Sequence, residues 1–99
     1  MRTIWKFPLA VVDYQAITIP SPTYGNVQML SVQAQAGTPC LWALVDSDGF
    51  GVPCGIYTVG TGNPYTVPNT SDVRYLGTYQ LADGVLGVLA FHVFQGPVR

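Results

Sequence analysis

Glutamate is absent from this chain of 99 residues, and ionic side chains of every kind are scarce. The acids are Asp13, Asp46, Asp48, Asp72 and Asp83, and the bases are Arg2, Lys6, Arg74 and Arg99. Together they make 9% of the sequence, against about 25% in an average soluble domain. The formal net charge is −1. Four scattered cations form no patch that tracks a phosphate backbone, which argues against nucleic acid as a partner and equally against an anionic membrane surface. Long hydrophobic runs are missing too. The longest apolar stretch, Val85 to Phe94, is interrupted by Gly87 and His92 and falls short of the roughly 18 residues of a spanning helix. The opening Met1-Arg-Thr-Ile-Trp-Lys6 reaches Pro8 without the apolar centre of a secretion signal, so a cytosol is the expected compartment.

The catalytic inventory is equally thin. His92 is the one histidine, and it shares a strand face with Val88, Ala90 and Phe94. A lone histidine in such a strand reads as a hydrogen-bonded core residue before it reads as a base. No Gly-x-Ser-x-Gly elbow surrounds any serine. Asp46-Ser-Asp48-Gly49 begins like a calcium loop, but the twelfth position, where a bidentate glutamate belongs, is Tyr57. A polar turn is the better reading. One histidine and two cysteines do not supply four zinc ligands at a recognisable spacing. The expectation is therefore no enzyme, no metal and no cofactor. If Asp46–Pro53 is a hairpin loop, Cys40 and Cys54 face each other across it. A reducing compartment favours two free, buried thiols instead.

Present in quantity are apolar residues, at 48%, with 11 glycines and 8 prolines. No window keeps apolar positions at a 3.6-residue period without Gly or Pro. Short runs rich in Val, Ile, Tyr, Phe and Thr lie between the breakers, and they predict strands at Thr3–Phe7, Tyr14–Ile19, Val27–Ala36, Cys40–Val45, Cys54–Val59, Arg74–Leu81 and Val85–Phe94. Seven short strands at this spacing predict one all-β domain over residues 1–99, a small antiparallel sandwich or barrel. Ala82-Asp-Gly84 is a tight hairpin signal, with Gly84 suited to a positive φ. Pro20–Asn26 reads as another connector.

Two segments break the alternation expected of a half-buried strand. Cys40–Val45, with Trp42 at its centre, is apolar on both faces, and so is the last strand. There Leu86, Val88, Ala90 and Phe94 line one side with His92, and Val85, Leu89, Phe91 and Val93 the other. A strand apolar on both faces is covered on both faces. In so short a chain the second cover is expected to be another subunit, which makes Leu89, Phe91, Val93 and Trp42 candidate interface residues of a homo-oligomer; the alternative is a central strand of a compact barrel, shielded by the chain's own loops. The loop Gly60-Thr-Gly-Asn63 is a separate candidate. Its glycines can bring main-chain N–H groups near a ligand, and Thr61 and Asn63 add side-chain hydrogen bonds. It is not a dinucleotide fingerprint, because Tyr65 stands at the third glycine position and no helix follows. A plain turn remains the simpler reading of this loop. Tyr57, Tyr65, Tyr75 and Tyr79 surround it in sequence.

Several segments in one order carry a resemblance: Ile4-Trp-Lys-Phe-Pro-Leu9, Ile17-Thr-Ile-Pro20, Leu30-Ser-Val-Gln33, Thr38-Pro-Cys-Leu-Trp-Ala-Leu-Val-Asp46, Val59-Gly-Thr-Gly-Asn-Pro64, Tyr75-Leu-Gly-Thr78 and Phe91-His-Val-Phe94. In this combination the chain resembles a family of short proteins, of unassigned activity, encoded mainly in bacteriophage and prophage genomes. The resemblance spans nearly the whole sequence. It implies a phage protein working in the cytoplasm of an infected bacterium or on the virion. In that family the glycine loop usually reads Gly-Thr-Gly-His-Pro, and Asn63 stands here in place of the histidine. Joined to the low charge and the doubly apolar strands, this origin favours a virion accessory component, either a capsid decoration or a tail-associated protein, whose partners are its own copies and a capsid or tail protein. The alternative is an oligomeric sponge for nucleotide signals of the host, with the Gly60–Asn63 loop and tyrosines lining its pockets.

Overall fold

A computed structural model describes residues 1–21 and 27–99. The described residues form seven strands: β1 (Arg2–Pro8), β2 (Tyr14–Ser21), β3 (Gln28–Gln35), β4 (Thr38–Asp46), β5 (Phe50–Gly60), β6 (Arg74–Asp83) and β7 (Gly87–Gly96). Each falls on one of the seven apolar runs. The connector expected at Pro20–Asn26 lies largely outside the described residues; its first two positions, Pro20 and Ser21, belong to β2.

The strands make two antiparallel sheets, one of order β1-β4-β3 and one of order β2-β5-β7-β6. The architecture is a β-sandwich. Inward-facing residues of both sheets build its core: Leu41, Ala43 and Val45 from β4, Val32 from β3, Ile19 from β2, Val52, Cys54 and Ile56 from β5, Tyr79 from β6 and Val93 from β7. Full burial of one Leu, Ile or Val side chain stabilises by about 1.5–3 kcal/mol. Alternation places these side chains inward and their neighbours outward.

β4 and β5 are not a hairpin, contrary to the sequence expectation. β4 pairs with β1 and β3, whereas β5 pairs with β2 and β7. The chain crosses between sheets at Ser47–Gly49. Gly49 donates to the Asp46 carbonyl at 2.8 Å, and a Cβ at Gly49 would collide with the Ser21 backbone. That close approach delivers Phe50 into register opposite Ser21. Cys40 and Cys54 therefore sit in different sheets, both free and both buried.

Two bulges re-aim side chains. In β3 the register slips between Met29 and Ser31, so Leu30 turns outward and is 43% exposed, while Val32 and Ala34 keep the inward face. In β6 the slip lies between Tyr75 and Gly77. The β6–β7 hairpin turns where Ala82-Asp-Gly84 announces it, but the positive φ belongs to Gly87 (+88°). Asp83 fixes the turn by accepting from the main-chain N–H groups of Val85 and Leu86, both at 2.8 Å.

Candidate functional site

The Gly60–Asn63 turn closes the end of β5. Asn63 N–H donates to the Gly60 carbonyl at 3.0 Å, and Thr61 N–H donates to the Ala90 carbonyl at 3.0 Å. Gly62 supplies φ +87°, a left-handed conformation that glycine adopts without Cβ strain. Gly60, Thr61 and Asn63 form one wall of a cleft of about 490 Å³, and β7 from Val88 to Phe91, with Leu86, forms the other. The ligand candidates and the interface candidates Leu89 and Phe91 thus meet in one depression. Gly62 shapes the turn without lining the cleft.

A smaller cleft of about 200 Å³ adjoins it, sharing Gly60, Asn63 and Phe91 and adding Val11, Val12, Asp13 and Thr58. Thr58 is 4% exposed, and its hydroxyl has no hydrogen-bond partner among the described residues. Asp13 holds this strand end in place through its carbonyl, which accepts from Thr58 N–H at 3.1 Å. Among the described residues neither cleft is lined by a lysine or arginine, and Asp13 is the one charged residue that lines either.

His92 is hydrogen-bonded, as expected, but it is not in the core. It lies half-exposed on the outer face of the four-stranded sheet. Its Nε2 bonds the Thr61 hydroxyl at 2.8 Å and its Nδ1 bonds the Thr78 hydroxyl at 2.9 Å. Thr78 in turn bonds the Tyr75 hydroxyl. The ring thus ties the glycine turn to β7 and β6. Cys54 points inward from β5, the other way, and donates to the Val52 carbonyl; burial pushes its thiol pKa up. Cys40 belongs to the other sheet. No Cys–His pair forms: each thiol donates to a main-chain carbonyl, and His92 bonds Thr61 and Thr78. Among the described residues no cluster of three His, Cys, Asp or Glu is placed to hold a metal ion.

A family model described as a domain of unknown function (DUF7352) matches residues 1–99. The chain belongs to this family. No curated protein and no solved structure matches it.

In this DUF7352 domain the remaining candidates separate. Val93 is fully buried in the core between the domain's own sheets and forms no part of its exterior; β7 is an interior strand, flanked by β5 and β6. Leu89 and Phe91 are half-buried toward the start of the same strand. Trp42 does face outward. With Ile4 and Leu30 it floors a shallow depression of about 400 Å³ on the three-stranded sheet, edged by Ser31, Gln33 and Gln35. The tyrosines disperse as well. Tyr79 stacks on Phe91 inside the sandwich at 5.3 Å between ring centres, and Tyr57 is buried beneath the chain's last residues. Tyr65 and Tyr75 remain at the surface, both packed against Phe94 at 5.6 and 5.5 Å.

Sequence reasoning missed the most exposed apolar residues of the hairpin: Val85 at 91%, Leu86 at 72% and Val88 at 62%. Assigning Val85 and Leu86 to a strand concealed them. The available signal was Gly84 and Gly87 bracketing just two residues.

Proposed function

We propose that this domain is a non-enzymatic interaction protein that works as part of an assembly, specifically a virion accessory component bound to capsid or tail. The observation that carries the reading is the outer face of the three-stranded sheet. Ile4 (56% exposed), Leu30 (43%) and the half-buried Trp42 and Leu44 form a contiguous apolar centre, bordered by Ser31, Gln33 and Gln35 on β3 and by Arg2, Lys6 and Asp46 along β1 and the end of β4. Both cations of this face have a partner nearby: Lys6 donates to Gln35 at 2.7 Å, and Arg2 stands opposite Asp46. Aromatic and aliphatic centres with polar rims suit protein–protein contact. The phage setting is supported by the sequence resemblance alone.

The nucleotide sponge is less well supported. A phosphate group calls for Arg, Lys or a run of free N–H groups. The cleft at Gly60–Asn63 is lined by apolar β7, and its neighbour holds Asp13. Mass spectrometry of purified particles from a phage encoding this chain tests the proposal. Many copies per particle are expected, and absence from the particle sinks the virion reading. A nucleotide that co-purifies with the protein and is lost in Asn63→Ala would revive the sponge.

A further inference from the structure

The free margin of β7 offers a surface of more specific chemistry. β5 ends at Gly60, which stands opposite Phe91, so among the described residues no strand lies beside the first part of β7 on that side. The Ala90 carbonyl already points to the β5 side, because Thr61 N–H donates to it. Main-chain groups in a strand alternate sides with a period of two. The N–H and C=O of Val88 therefore also point away from β6 and into the 490 Å³ cleft. An unpaired donor and acceptor beside apolar side chains make a template for one more strand.

We infer that this margin pairs with the same margin of a second copy of the chain, the two β7 strands running antiparallel about a twofold axis at Val88. The inference rests on the reading of the domain as an assembly protein and names its first partner. Three observations select a second copy. An antiparallel edge is self-complementary under a twofold, so Val88 of each copy donates to and accepts from the other. Gly84–Ala90, the segment that would enter the cleft, carries no charge, and neither does the cleft that receives it. The pairing also covers Val85, Leu86 and Val88, which are 91%, 72% and 62% exposed. The partner's hairpin tip then packs beside Gly60–Asn63. The glycine turn serves as the end wall of a strand slot, and its proximity to Leu89 and Phe91 follows.

Light scattering of the purified full chain at micromolar concentration tests the pairing. The wild type is expected at twice the 10.7 kDa chain mass. Val88→Pro removes the N–H that faces the cleft, and Val88→Lys places a charge at the centre of the pairing; both are expected as monomers with unchanged far-ultraviolet circular dichroism. Val88→Cys is expected to give a disulfide-linked dimer on mild oxidation, since residues directly opposite in a hydrogen-bonded pair stand about 5.5 Å apart between Cα atoms, within disulfide reach. If Val88→Pro fails to fold, the lysine and cysteine variants decide. A wild type that stays at 10.7 kDa overturns the inference. So does a dimer that survives both Val88→Pro and Val88→Lys, or one that Val88→Cys does not cross-link. None of these outcomes touches the assembly reading, which the composition of the particle decides separately.

Discussion

The Tyr57 hydroxyl donates to the Pro97 carbonyl at 2.6 Å, and this bond holds the last residues of the chain across the outer face of the four-stranded sheet. Arg99 extends the contact. Its main-chain N–H donates to the Tyr14 hydroxyl at 2.9 Å, and its guanidinium lies 4.7 Å from the centre of the Tyr14 ring. The approach is close enough to require glycine beneath it. A Cβ on Gly55 would stand 2.5 Å from the Pro97 oxygen and 2.7 Å from the Gly96 oxygen. Both obstacles are backbone atoms, so they yield only if the segment lifts.

Gly55→Ala is accordingly expected to destabilise the fold by about 1–3 kcal/mol, the range for forcing a methyl group into a packed site. Tyr57→Phe removes only the hydrogen bond and is expected to cost about 0.5–1.5 kcal/mol. Urea denaturation followed by intrinsic fluorescence separates the two. Equal midpoints for both variants and the wild type would show that the C-terminal segment does not bear on the fold.

Neighbouring positions on β4 give opposite expectations. Leu41 is fully buried between the sheets, and Leu41→Ala should cost about 2–5 kcal/mol by leaving a cavity. Trp42, one residue on, faces outward. Trp42→Ala is expected to shift the urea midpoint less than Leu41→Ala and to reduce incorporation into particles. A Trp42→Ala protein that is incorporated at wild-type level would remove the three-stranded face from the assembly contact.

The strands were legible in the sequence because each apolar run is short and bounded by Gly, Pro or Asp. Sheet membership was not. Cys40–Val45 and Cys54–Val59 carry the same β-forming composition whether they pair with each other or with strangers. What separates them is the contact of Gly49 with the Ser21 backbone, to which no periodicity points. The Leu30 bulge has the same character: one extra residue moves a side chain to the other face without altering the composition. Of the candidate site, Gly60, Thr61 and Asn63 were legible as a turn rich in donors. The free margin of β7 was not, because it depends on where β5 stops.

His92 should behave as a structural bridge. His92→Ala loses bonds to Thr61 and Thr78 at once and is expected to destabilise by about 1–2 kcal/mol, near the sum of two neutral hydrogen bonds that are partly exposed. The thiols should be indifferent to it. Cys40 and Cys54 are 2% and 4% exposed, so a thiol reagent is expected to modify both only at the rate of unfolding. Fast labelling of folded protein that disappears in His92→Ala would instead reveal a histidine-activated cysteine, against the geometry seen here.

Acid should loosen the β6–β7 hairpin. The Asp83 carboxylate accepts from Leu86 and Val85 N–H, and these bonds hold its pKa below the ordinary aspartate value of 3.8. A group depressed in the folded state contributes stability above its unfolded pKa and loses it as pH falls through the folded pKa. The contribution of Asp83 is therefore complete at neutral pH, begins to decline near its unfolded pKa and is gone once the folded carboxylate is protonated. Asp83→Asn keeps an acceptor oxygen but not the charge. Its stability deficit relative to the wild type should be visible at pH 7 and vanish in strong acid. Because Val85 and Leu86 form the tip that would enter the second copy's cleft, dimerisation should weaken over the same interval. Carbon-detected titration of the Asp83 carboxyl together with light scattering across that range checks both halves. A midpoint at or above 3.8 would dismiss the two hydrogen bonds as the fastening of this turn.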